Sequence, residues 1–252
     1  MKNDTIYGFI TVRTSSTRLP KKCLMPFGKK RVLDHIINRC LTFNIEPIVC
    51  TSTHESDDVI YDIAIENNVK CFRGSLVNKL KRWADCAVKF NINYFHTIDA
   101  DDPFFDGEEV QLSMNKLIND DFDVVTPTDS SSNGGGSVGY SLKSSIVIKA
   151  VKKLDINTDT EMMWAFLEKI NNIKINNLEE NFDRPKKLRL TLDFYEDYVL
   201  LKFIVDLLGT ETKRSNVDQI FFKNPDLYKL NWFRNSEWKQ SQNNKIENYK
   251  YE

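Results

Sequence analysis

The chain has 252 residues, with 35 Lys and Arg against 36 Asp and Glu for a formal net charge of −1, and it is 41% hydrophobic, 28% charged and 12% aromatic. That mixture excludes a disordered, collagen-like or coiled-coil chain, and near-zero net charge argues against a protein that holds nucleic acid by bulk electrostatics. The length suits a single domain over residues 1–252, and no window reaches the roughly 18 apolar residues of a membrane span.

Residues 6–12 form a short apolar run that reads as a first core strand, followed by a polar, cationic loop. Val32, Leu33, Ile36, Ile37, Cys40 and Leu41 then recur at helical spacing. Residues 47–51 are a second β-rich run, 57–67 a second amphipathic helix, 69–72 a short strand, 76–90 a third helix and 94–98 a fourth strand. Strands separated by helices of this length predict βαβ crossovers and a mainly parallel, Rossmann-like sheet flanked by helices.

Further on, residues 110–118 read as a helix and 122–126 as a strand, and the glycine-rich stretch 129–136 as a flexible loop able to fold over a ligand. Residues 138–142 and 188–192 resemble strands, while 160–168 and 195–208 resemble helices. The tail from residue 231 is polar, with Trp232, Phe233 and Trp238 as anchors. A less regular stretch, about 127–190, reads as a small mixed β/α insertion. The five cysteines are scattered without a CxxC motif and the three histidines show no ligand spacing, which predicts reduced thiols, no zinc site and a cytoplasmic setting. His35 and His96 read as buried, hydrogen-bonded or helix-surface residues, and Met162-Met163-Trp164 as packing.

Chemistry concentrates directly after the first strand. Residues 13–22 carry four cationic side chains and four hydroxyls in ten positions, including Arg13, Ser16, Arg18 and Lys22. The carboxyl end of an early strand is where open α/β sheets bind ligands, and arginine forks beside a lysine suit a polyphosphate. A solvated basic turn is the plainer alternative. Neither GxxxxGK[ST] nor GxGxxG occurs in this loop, so a P-loop or a dinucleotide fingerprint after the first strand loses most of its support. A second cluster, Asp99-Ala100-Asp101-Asp102-Pro103, ends a strand with three carboxylates that could bind Mg²⁺ or simply cap a turn.

The order of the first cluster resembles the cytidylyltransferases that activate sugar acids, among them the CMP-Kdo synthetase, CMP-sialate synthetase and spore-coat polysaccharide branches. Their pattern runs Ala-Arg-x-x-Ser-x-Arg-Leu-Pro-Gly-Lys-x-Leu. Arg13, Ser16, Arg18, Leu19, Pro20, Lys22 and Leu24 match, while Val12 stands for the Ala and Lys21 for the Gly. The resemblance implies a GT-A-like nucleotidyltransferase fold in which Arg13, Arg18 and Lys22 grip the triphosphate of CTP. It makes Asp101 a metal-binding aspartate with Ala100 beside it. Arg189-Leu190-Thr191-Leu192-Asp193, followed by Glu196 and Asp197, resembles the family's late Arg-x-Thr-Val-Asp block, which implies Asp193 as a second Mg²⁺ ligand and leaves Glu196 and Asp197 to the first turn of a helix. Weaker matches put Val12, Ser52, Ser75 and Arg82 at the nucleotide and Asp57 and Asp58 near its base and ribose.

The implied reaction is Mg²⁺-dependent transfer of CMP from CTP to an acidic sugar or related small acceptor, releasing pyrophosphate for surface polysaccharide or glycoconjugate synthesis. Family habit implies a homodimer, with no nucleic-acid or membrane partner. The family's acceptor-facing Pro-x-Gly…Val-Glu and Arg-Glu-His-Val-Thr segments are replaced by Gly134-Gly135-Gly136 and Asp159-Thr160-Glu161. A metal-dependent glycosyltransferase of similar architecture and a non-catalytic nucleotide-binding paralogue remain the alternatives.

Overall fold

Alternation along the first strand sets the layering. In β1 (Ile6–Thr11) Phe9 packs into one hydrophobic core and Ile10 into another, on opposite faces of the sheet. The computed structural model describes residues 5–136, 138–180 and 183–248; residues 1–4, Ser137 and the end of the polar tail (249–252) lie outside that set. After β1 the cationic loop runs into a small hairpin, β2 (Pro26–Phe27) and β3 (Lys30–Arg31), then α1 (Val32–Thr42), β4 (Ile45–Ser52), α2 (Asp58–Glu66) and β5 (Lys70–Gly74). Next come α3 (Lys79–Phe90), β6 (Tyr94–Asp99), α4 (Gly107–Asn119), β7 (Val124–Thr126), α5 (Asp129–Ser132), β8 (Ser141–Lys143) and α6 (Ser144–Val151). The chain continues through α7 (Trp164–Leu167), β9 (Ile175–Asn177), α8 (Tyr195–Leu208), α9 (Arg214–Lys223) and α10 (Asn235–Asn248).

Among the described residues the main sheet has the order β5-β4-β1-β6-β8-β7-β9. Strands β5, β4, β1 and β6 are mutually parallel, and β8 enters antiparallel to both β6 and β7. The expected mainly parallel α/β sheet is therefore present, and the 127–190 stretch contributes β8 and β9 to it. One face is covered by α1, α2, α8 and α9, the other by α3, α6 and α7. Phe9 and Phe95 stack at 4.1 Å between ring centres on the second face. No helix among the described residues is long and apolar enough to cross a membrane.

Four local expectations need correction. The stretch 129–136 is not a loose loop: Thr128 caps α5, and the Gly134 carbonyl accepts the Leu190 N–H at 2.8 Å. Residues 188–192 are buried but join no sheet; Leu190 bonds to Gly134 and the Leu192 N–H donates to the Asp101 carbonyl at 2.7 Å, so tertiary loop contacts replace a ladder. Helix α7 covers only part of 160–168, because Thr160 is held by the start of α3, where its hydroxyl oxygen accepts the Leu80 N–H at 2.9 Å. Strand β8 begins at Ser141 rather than 138, since Gly139 (φ 88) brings the chain so close to β6 that a Cβ there would lie 1.9 Å from the Thr97 carbonyl oxygen.

Candidate active site

Three segments meet at the carboxyl ends of β1 and β6: the cationic loop, the acidic turn at 99–102 and the buried 189–193 strand-like segment. The Val12 N–H still bonds to β4 through the Cys50 carbonyl at 3.3 Å, and beyond it the chain leaves the sheet. Asp57, at the start of α2, pins the loop: its Oδ1 accepts both the Thr14 N–H (2.9 Å) and the Thr14 hydroxyl (2.8 Å). The Thr14 carbonyl then accepts the N–H groups of Ser16 (3.0 Å) and Lys21 (3.1 Å), folding the loop on itself. Lys21 sits at φ 56, ψ 25, the left-handed region, where the family pattern has glycine.

That fold delivers Lys22 to the centre. Its ammonium donates to Asp101 Oδ2 (2.7 Å), Asp193 Oδ1 (3.0 Å) and the Leu192 carbonyl (2.8 Å). Arg18 joins from the side, with Nη2 2.8 Å from Asp193 Oδ1 and Nη1 donating to Ser241 at 3.1 Å. Burial alone would lower the Lys22 pKa, but the charges of Asp101 and Asp193 overcome it and raise the value. Burial would likewise raise Asp193, yet Lys22 and Arg18 hold it down at about 2. A nearly buried carboxylate with two cations within 3 Å stays ionised.

The acidic turn behaves differently. Burial, with Asp101 and Asp99 beside it, pushes Asp102 well up, and burial also raises Asp99. Asp102 Oδ1 is buried without a hydrogen-bond partner. Ligand oxygens of Asp99, Asp101 and Asp102 lie within 4.8 Å of one another. An unpartnered buried carboxylate oxygen, a crowd of hard oxygen donors and a cation already bridging Asp101 to Asp193 together fit Mg²⁺. Asp99 and Asp102, which the sequence pattern does not require, thus belong to the same cluster.

The cleft above these groups encloses about 810 Å³ and is lined by Val12, Arg13, Ser16, Arg18, Lys22, Arg82, Ala100, Asp101 and Asp193 among others. That volume suits a nucleotide-sized ligand. Arg13 donates to the Leu76 carbonyl (2.9 Å) and to Glu161 (3.2 Å). Arg82 is buried and held by the Ser75 carbonyl at 2.5 Å; burial lowers its pKa to about 10.

Two expected residues are not brought to the cleft walls. Ser52 is wholly buried, its hydroxyl donating to Asp57 Oδ2, because β4 turns its end beneath the cationic loop. Ser75 Oγ accepts the Asn78 N–H at 3.0 Å and serves the turn before α3. Asp57 itself is a loop anchor rather than a wall, while Asp58 is exposed and pairs with Arg73 at 2.6 Å.

Sequence reasoning missed α10, which contributes Trp238, Ser241 and Lys245 to the cleft. The signal was present: Trp238, Ser241, Gln242, Lys245 and Ile246 follow helical spacing, but the stripe is mostly polar and does not look like a core face.

A cytidylyltransferase family model matches residues 8–152. The spore coat polysaccharide biosynthesis protein SpsF of Bacillus subtilis is 25% identical over 247 residues, covering 89% of this chain and 96% of that protein. A 3-deoxy-manno-octulosonate cytidylyltransferase of Rickettsia bellii is 27% identical over 133 residues, 50% of this chain and 53% of that one. In three dimensions the fold resembles a cytidylyltransferase from Leptospira borgpetersenii (TM-score 0.76, 24% identity, 89% of this chain and 96% of that one). It also resembles a CMP:2-keto-3-deoxy-manno-octonic acid synthetase complexed with CTP (TM-score 0.62, 14% identity, 81% of this chain and 99% of that one).

Proposed function

The chain belongs to the cytidylyltransferase family, and from that premise we propose that it transfers CMP from CTP to a hydroxyl of an acidic sugar or a related small acceptor. The acceptor oxygen forms a bond to the α-phosphorus, the bridging bond to the β-phosphate breaks, and pyrophosphate leaves with the electron pair. The hydroxyl proton passes to solvent or to pyrophosphate.

The observation that carries this reading is the Lys22 ammonium lying between Asp101 and Asp193 beside Arg18, all within one nucleotide-sized cleft that also holds Arg13. Arg13, Arg18 and Lys22 supply fixed positive charge where negative charge grows on the departing pyrophosphate. Val12, Ala100 and Ser16 line the nucleotide's resting place, Arg82 lines its far side with the Ser75 carbonyl holding it from behind, and Ser52 acts through Asp57. Bound at Asp101 and Asp193, Mg²⁺ supplies further neutralisation of the triphosphate. No covalent enzyme intermediate is needed, since positioning and electrostatics lower the barrier.

Spore coat polysaccharide synthesis and 3-deoxy-manno-octulosonate activation, the roles named for two relatives, support a sugar acid destined for a surface polysaccharide. The test is pyrophosphate release from CTP, ATP, GTP and UTP against a panel of sugar acids, polyol phosphates and phosphonates. CTP-selective release coupled to a CMP-linked product is expected. Consumption of a nucleotide-sugar without pyrophosphate would establish a glycosyltransferase instead, and CTP binding without turnover a regulatory paralogue.

A further inference from the structure

Helix α10 turns an unusual face inward. Its half-buried positions are Trp238, Ser241, Gln242, Lys245 and Ile246, spaced i, i+3, i+4, i+7 and i+8, and all five line the cleft. A helix packed on a core turns an apolar stripe inward; one whose inward stripe carries Ser, Gln and Lys covers a polar cavity. The helix touches the cleft's cations at two points. Ser241 accepts from Arg18 at 3.1 Å. Lys245 donates to Glu161 Oε1 at 2.6 Å, while the other oxygen of the same carboxylate receives Arg13 at 3.2 Å.

Glu161 is thus one carboxylate held by two cations from distant parts of the chain. Burial would raise its pKa, but Lys245, Lys79 and Arg13 keep it low and ionised. The Arg13 and Glu161 side chains are 29% and 41% exposed, so solvent screens the pair and its separation costs little. The Arg13 Nη2 N–H that Glu161 accepts is not available to a phosphate while that contact stands.

We propose that Lys245 is a phosphate-binding residue delivered by the C-terminal helix, and that Glu161 occupies the Arg13–Lys245 pair as an internal substitute anion until the oligophosphate of the nucleotide displaces it. This rests on the reading of Arg13 as a triphosphate ligand. It extends that reading to a pair of residues, Glu161 and Lys245, that the family pattern does not assign, and it makes α10 part of the substrate site.

The two residues break the same salt bridge when altered, yet the proposal gives them opposite signs. Calorimetric titration with inorganic tripolyphosphate and with Mg·CTP, neither needing the acceptor, reads the outcome, with thermal unfolding midpoints confirming that each variant is folded. Wild type is expected to bind both probes. Glu161→Gln is expected to bind them about 2- to 5-fold tighter and Lys245→Gln about 2- to 5-fold weaker, the span of a part-exposed charge contact. Equal or same-direction shifts overturn the proposal, because a purely structural latch would respond alike to losing either partner. Failure of wild type to bind either probe overturns the nucleotide reading and this proposal together.

Discussion

Asp101 and Asp193, which arrive from the end of β6 and from just before α8, share one ammonium group: Lys22 Nζ lies 2.7 Å from the first and 3.0 Å from the second. A cation at the midpoint of two carboxylates is what keeps them from repelling each other in a nearly dry site. It also ties the cationic loop to the acidic turn and to the segment before α8 without any ligand.

Asp101→Ala is therefore expected to reduce pyrophosphate release from CTP by at least about 100-fold, the typical loss of one transition-state electrostatic group. Because Asp101 is partly exposed (29% side-chain exposure), the thermal midpoint should change little. Chelation of divalent ions should abolish turnover in wild type, and added Mg²⁺ should restore it. Full turnover in the variant, measured by coupled phosphate detection, removes Asp101 from the site.

Lys21 holds a left-handed backbone at φ 56, a conformation that costs a residue with a Cβ about 1–2 kcal/mol relative to glycine. Glycine is also freer in the unfolded chain, which offsets part of the gain. Lys21→Gly is expected to leave stability unchanged or raise it by up to about 1 kcal/mol, with CTP affinity nearly unaltered, since Lys21 does not line the cleft. Chemical denaturation reports the first quantity and calorimetry the second. A loss of more than about 1 kcal/mol would show that the turn needs the lysine side chain.

Asp197 positions Asp193. Its carboxylate takes a two-pronged contact from Arg189 (2.8 and 2.9 Å) and accepts the N–H groups of Asp193 (3.0 Å) and Phe194 (2.9 Å), with both Arg189 and Asp197 fully buried. Asp197→Ala leaves the buried Arg189 guanidinium with only long contacts to Asp193 (3.8 Å) and Asn235 (3.4 Å) and is expected to cost about 3–5 kcal/mol. Replacing both as Arg189→Met with Asp197→Leu should recover most of that stability but not the activity, because the backbone of Asp193 would still have lost its anchor. Urea unfolding of the single and double variants separates the two effects; equal destabilisation by both would sink the assignment.

The first half of the fold was legible because each helix there is amphipathic at a 3.6-residue period and each long strand is a short apolar run between turns, so α1 to α4 and β1, β4, β5 and β6 follow from pattern, while the two-residue strands β2 and β3 carry no such signal. The site was legible for a different reason: Arg13, Arg18, Lys22 and Asp101 sit in two compact segments at strand ends. What pattern could not reveal was assembly by single contacts. The 188–192 run looks like a strand but bonds to loops, and Ser52 reads as a site residue until β4 buries it beneath Asp57. Helix α9 hides because its buried face includes Arg214 and Asp218, which satisfy each other at 3.0 Å and so present a polar sequence in a packed position. The carboxylates of Asp106 and Glu109 at the start of α4 and of Asp218 in α9 converge on Arg184 from two segments distant from it in sequence, and no local spacing encodes such a convergence.

His96 makes acid stability a readout of β6 packing. It is fully buried, with Nδ1 2.9 Å from the Ser141 hydroxyl and Nε2 against the Val138 carbonyl. A carbonyl only accepts, so Nε2 carries the proton and Nδ1 accepts from Ser141, which fixes the neutral tautomer. Burial lowers the pKa to about 4, and burial lowers His35 to about 4 as well. The unfolded chain binds these protons near pH 6.5, whereas the folded protein refuses them until about pH 4. Stability is therefore full above pH 6.5, falls by about 1.4 kcal/mol per pH unit for each histidine as the pH drops toward 4, and levels off below. His96→Gln keeps a side-chain donor and acceptor but cannot titrate. Its stability at pH 7 should be lower than wild type, yet its loss between pH 7 and pH 5 should be smaller by about 2 kcal/mol. Urea denaturation at the two pH values gives the difference directly, and parallel losses in both proteins would mean that the imidazole is already solvated in the folded state.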